Sequence, residues 1–102
     1  MTQPDQDTAP RLIIVVARSG GLAGLTREWR AEADPEREPR WRELVESCPW
    51  DATPPPARGA DRFHWRIEVR ADAATLHEAR LGDTQVSGPW RTLVDEVRSA
   101  AA

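Results

Sequence analysis

The sequence predicts an α+β domain: a four-stranded antiparallel sheet with two helices on one face, in the order β-β-α-β-β-α. Three observations lead there. Asp61 to Arg70 alternates strictly, with Phe63, Trp65, Ile67 and Val69 on one side and Arg62, His64, Arg66, Glu68 and Arg70 on the other. Such alternation marks a strand with one buried and one wet face. Trp41, Leu44, Val45 and Cys48 recur at i, i+3, i+4 and i+7, as do Trp90, Leu93, Val94 and Val97. That spacing is one face of an amphipathic helix. Between two apolar stretches lies Ser19-Gly20-Gly21-Leu22-Ala23-Gly24, a glycine-rich run suited to positive φ and a tight turn.

The elements follow in order. Met1 to Pro10 is polar, with neither a basic start nor an apolar segment, and is expected as a disordered N-terminal tail, not a secretory signal. Arg11 to Arg18 holds Leu12, Ile13, Ile14, Val15, Val16 and Ala17 without interruption. A short β-branched run of this kind reads as a strand covered on both faces or central in its sheet. Leu25 to Glu32 alternates imperfectly: Leu25, Trp29 and Ala31 face one way, but Arg27 breaks that side. The two segments form a hairpin with a glycine-rich end. Asp34-Pro35 and Glu38-Pro39 mark a helix entrance, and Pro49 ends the helix. Trp50 to Ala60, with Pro54-Pro55-Pro56, reads as a stiff extended connection. After the Asp61–Arg70 strand, a turn near Ala71-Asp72-Ala73 leads into a weaker strand, Ala74 to Arg80. Leu81 to Ser87 is expected as loop, and Gly88-Pro89 opens the second helix. Both helices contain a Trp-Arg-x-Leu-Val text, at Trp41–Val45 and Trp90–Val94. A ββα duplication and convergence of two helices packing on one sheet both account for it. Residues 11–99 make one domain and 100–102 a C-terminal tail.

Composition narrows the function. The 102 residues fit one domain. The net charge of −3 argues against a nucleic-acid binder. No apolar run approaches the ~20 residues of a membrane span. Cys48 is the single cysteine, so the domain folds without a disulfide, which suits a reducing cytoplasm. Every Lys or Arg position is Arg, and Lys, Asn and Tyr are absent; a GC-rich bacterial genome accounts for that bias.

Chemistry is sparse. His64, His77 and Cys48 carry no metal-ligand spacing, so the histidines are expected in solvent and Cys48 as a small buried hydrophobe. Gly20 to Thr26 lacks the lysine of a phosphate-binding loop. No carboxylate pair stands out as acid and base. No catalytic residue, metal or cofactor is assigned. Two thin layers around a mainly aromatic core leave little room for a deep small-molecule pocket. Leu22, an apolar side chain flanked by glycines, either folds back to cap the core or stands out to enter a partner's pocket.

Arg18-Ser19-Gly20-Gly21-Leu22-Ala23-Gly24-Leu25 resembles the R-S-G-G-F-A-G-[IL] signature of emfourin-like proteins. Asp61-Arg62-Phe63-His64-Trp65 is similar to that family's D-R-F-x-[YW] strand, and Pro89 to Asp95 to its closing L-R-P-L-V-D segment. Order and spacing agree from Leu12 to Arg98. The family usually has Phe where this chain has Leu22. The resemblance implies a competitive, reversible protein inhibitor of protealysin-type, thermolysin-like zinc metallopeptidases, with the enzyme as partner. The chain itself is expected as a monomer. With it, Ser19, Gly20, Gly21, Leu22, Ala23 and Gly24 are expected as the inhibitory loop. The other reading of the residues is a general interaction module with a different target.

Overall fold

The computed structural model describes residues 11–21, 24–52, 62–72 and 74–101. The strands are β1 (Leu12–Gly20), β2 (Leu25–Glu32), β3 (Phe63–Ala71) and β4 (Ala74–Gly82). The helices are α1 (Glu38–Glu46) and α2 (Pro89–Ala101). The chain order is β-β-α-β-β-α, and the sheet order is β2-β1-β3-β4, antiparallel throughout.

The uninterrupted apolar run of β1 is explained by its central place. Leu12, Ile14 and Val16 face the helices and are buried, but so are Ile13, Val15 and Ala17 on the opposite face. Among the described residues no second layer covers them. They lie between Glu28, Arg30 and Glu32 of β2 and Arg66, Glu68 and Arg70 of β3 in the strand register. Long charged side chains keep their heads wet while their stems cover apolar neighbours.

Under the helices the sheet contributes Trp29, Ala31, Trp65, Ile67, Val69, Ala79 and Leu81. α1 lays Trp41, Leu44 and Val45 on this layer, and α2 lays Trp90, Leu93, Val94 and Val97. The least accessible side chains are all aliphatic: Ile14, Val16, Ile67, Val69, Leu81, Leu93, Val94 and Val97. The expected aromatic core is therefore corrected: the centre is aliphatic and the tryptophans ring it.

α1 begins where Asp34 Oδ1 accepts the Arg37 N–H at 2.9 Å, and Pro39 fits its first turn. Pro49 follows its end, and Trp50–Ala52 forms a short 3-10 turn. That corrects the start of the expected extended connection; residues 53–61, including the three prolines and Asp61, lie outside the described residues. Leu81 and Val86, expected in a loop, are buried; Leu81 and Gly82 finish β4, and a 3-10 turn spans Asp83–Gln85. α2 continues to Ala101, two residues into the segment expected as a C-terminal tail. The tail expected over 1–10, Ala73 and Ala102 are also outside the described residues.

β4 reads weakly for a physical reason. Val69 pairs with His77 and Arg70 with Thr75, so the register skips Leu76. This bulge reverses the phase: Thr75 reaches Glu68 on the open face, whereas His77 turns to the helix side and stacks on Trp50 at 4.8 Å. His77 is thus half-buried against a ring, not solvated; His64 is exposed.

Candidate functional site

β1 carries its pairing to the brink of the glycine turn on both flanks. Gly20 pairs with Leu25 of β2 and with Phe63 of β3. Gly20 has φ 120°, and a Cβ there would collide with the Arg62 carbonyl oxygen. Gly21 has φ 78°; its N–H donates to the same carbonyl at 3.1 Å, and an added Cβ would stand 3.1 Å from the Phe63 ring. Both the backbone angle and the close approach of β3 therefore demand glycine. The Gly24 N–H donates to the Gly21 carbonyl at 3.3 Å, closing the turn. Leu22 and Ala23, between them, lie outside the described residues. Of the six expected loop residues, Ser19, Gly20, Gly21 and Gly24 are described. Ser19 sits on the last rungs of β1, opposite Thr26 and His64.

Behind the turn, on the helix side of the sheet, is a cluster the sequence reading missed. The Arg18 guanidinium carbon is 4.7 Å from the Phe63 ring centre, 5.6 Å from Trp29 and 5.7 Å from Trp65. Trp29 and Trp65 stack across β1, with centroids 6.0 Å apart. Arg27 and Arg98 approach Trp29 at 5.2 and 4.8 Å. Trp65 Nε1 donates to Asp83 Oδ1 at 2.8 Å, fixing the indole. Guanidinium–ring contacts of this kind contribute about 0.5–2 kcal/mol each, more where water is displaced. The signal was present in the phase. Arg18 shares the parity of Ile14 and Val16, and Arg27 that of Trp29, so both stand on the apolar side. A charge there reads as a break in the pattern unless its ring partners are known.

Between the cluster and the turn, Arg18, Gly21, Leu25, Arg27 and Phe63 line a shallow depression of about 480 Å³. Leu25 is 74% exposed on its rim. The opposite face of the sheet carries an ion-pair network. Arg70 donates to Glu68 Oε1 at 2.9 Å and Thr75 to Oε2 at 3.0 Å. Arg66 bridges Glu68 and Glu78, and Arg80 adds to Glu78. The Arg70 hydrogen bond, against the cost of burial, holds the Glu68 carboxyl below its usual range.

Cys48 Sγ lies 3.5 Å from the carbonyls of Leu44 and Pro89. Burial pushes the thiol up to about 11, which keeps it protonated and unreactive at neutral pH. Among the described residues no group of three or more His, Cys, Asp or Glu side chains is placed to hold a metal, and no helix is long and apolar enough to cross a membrane. A family model described as Emfourin matches residues 16–98, most of the chain. No curated protein and no solved structure is matched.

Proposed function

The chain belongs to the Emfourin family, and on that premise we propose that it is a protein inhibitor of a thermolysin-like zinc metallopeptidase. The glycine turn, Ser19 to Gly24, enters the active-site cleft, and Leu22 fills the pocket that takes the residue after the scissile bond. Leucine and phenylalanine both suit an apolar pocket of that kind, so Leu22 is a sensible substitute for the usual phenylalanine. The inhibitor acts as a monomer, and the lone buried thiol of Cys48 suits a bacterial cytoplasm.

The observation that carries the reading is the bracing of the turn. Strand pairing reaches Gly20 on both sides, and the Arg62 carbonyl holds the Gly21 N–H from a third strand segment. Flanking residues held before binding lower the conformational entropy lost when a loop docks. Held flanks also limit how far the loop can move toward the backbone geometry that attack on a peptide bond requires. Burying one leucine contributes only about 1.5–3 kcal/mol, so tight inhibition draws on further contacts.

The test is Leu22→Asp. Inhibition of a thermolysin-like peptidase, read as residual peptide cleavage, is expected to weaken by at least about 30-fold, with an unchanged circular dichroism spectrum. Undiminished inhibition by the folded variant removes Leu22 as the anchor. Failure of the unaltered protein to inhibit any such enzyme, together with a stable complex with another protein, favours the general interaction module.

A further inference from the structure

Resting on the inhibitory reading above, we propose that Arg18, Arg27 and Arg98 form a carboxylate-receiving surface beside the glycine turn. The partner it fits is a protein that presents acidic side chains next to the cleft taking the turn.

Three guanidiniums reach Trp29 from three different elements, β1, β2 and α2. None of the three has a carboxylate within ion-pair distance among the described residues. Of the other ten described arginines, seven have one: Arg11 beside β1, Arg66, Arg70 and Arg80 on the open face, Arg40 and Arg42 on α1, and Arg91 on α2, the exceptions being Arg30, Arg37 and Arg62. The chain holds 17 acidic residues against 14 basic ones, so unpaired cations gathered in one place do not follow from a shortage of acids. An aromatic ring attracts a guanidinium through its π face but accepts few of its N–H bonds, so the N–H edge stays available for a planar, bidentate acceptor.

The position ties this surface to the turn. Arg18 and Arg27 line the same depression as Gly21 and the exposed Leu25. A partner seated on the turn therefore meets an apolar contact with cations behind it. Carboxylates are favoured over a nucleic-acid backbone because the net charge of −3 repels an extended polyanion. Charges at the rim of an interface act mainly on the rate of encounter.

The experiment compares Arg27→Gln/Arg98→Gln with a control that removes equal charge elsewhere, Arg30→Gln/Arg37→Gln. Association with a thermolysin-like peptidase is timed at about 25 mM and about 400 mM salt. The unaltered protein and the control are expected to associate about tenfold faster at low salt. The Arg27/Arg98 variant is expected to lose on the order of tenfold at low salt and most of its salt dependence. In a second arm, an oligoglutamate peptide is titrated while tryptophan fluorescence is followed. A response in the unaltered protein and the control, lost in the Arg27/Arg98 variant, supports the surface. Intact inhibition with rates indifferent to salt and to both variants overturns the surface and leaves the inhibitory reading standing. A selective oligoglutamate response without inhibition of the peptidase overturns the inhibitory reading and keeps the surface. Tighter binding of a single-stranded oligonucleotide of matched charge overturns it in favour of a phosphate site.

Discussion

Glu68 is held ionised by its neighbours. Arg70 and Thr75 each donate to one of its oxygens, Arg66 stands 3.9 Å away, and only 8% of the residue is exposed. Its pKa is therefore lowered from the ordinary 4.5. As the pH falls, the unfolded chain takes up this proton before the folded one does. The contribution to stability is present in full above about pH 4.5 and is lost as the pH drops through the folded value. Glu68→Gln is expected to cost about 1 kcal/mol at neutral pH. The gap between the urea midpoints of the two proteins should then close as the pH is lowered below 4.5. A gap independent of pH would show that the carboxylate charge contributes nothing. The alternation of β3 correctly assigned Glu68 to the open face but not its burial, because burial there comes from Arg70 and Thr75, set in place by strand pairing.

The β1–β2 hairpin is the element on which the proposed inhibition turns, and its end is shaped by backbone contacts. Gly20 packs against the Arg62 carbonyl and the Phe63 Cα. Gly20→Ala is expected to destabilise the domain by about 2 kcal/mol or more, through a strained φ and the clash with β3. Because the same contact braces the turn, inhibition should weaken in step with the loss of the hairpin end. Urea denaturation and inhibition measured on one preparation check both effects; an alanine variant of unchanged stability would show that the close approach is not tight. The glycine cluster announced a turn in the sequence. That Gly20 is needed for the approach of a third strand, more than for the turn, was not legible, since Arg62 and Phe63 are more than forty residues away along the chain.

Both layers of the domain meet at Trp65. Its ring stacks on Trp29 across β1, its Nε1 donates to Asp83, and it lies on the helix side of the sheet with only 7% of the residue exposed. Trp65→Ala is expected to cost about 3–5 kcal/mol, a large share of the roughly 5–15 kcal/mol typical of such domains. The check is global unfolding followed by two probes, circular dichroism and tryptophan fluorescence, whose transitions should shift together. Near-native stability would mean that this corner of the core is not shared between the layers. The arginine cluster sits on the same rings, so the variant is also expected to loosen Arg18.

The periods of the hydrophobic pattern already contained the class of fold, the order of the elements and the buried faces of both helices. Period is a local property: Trp90, Leu93, Val94 and Val97 share a face in any helix. What the pattern withheld depended on who sits beside whom. The bulge at Leu76 reverses the phase of β4 and hides that strand. Leu81 is buried because it pairs with Trp65 of β3 on the helix side of the sheet, and Val86 joins the same core just after the turn that packs on β3 and β4, in a segment that reads as loop. Arg18 and Arg27 look like errors in an apolar face until Trp29, Phe63 and Trp65 are brought to them by strand pairing. A charge on an apolar face changes meaning with its neighbours, and those neighbours are distant in the chain.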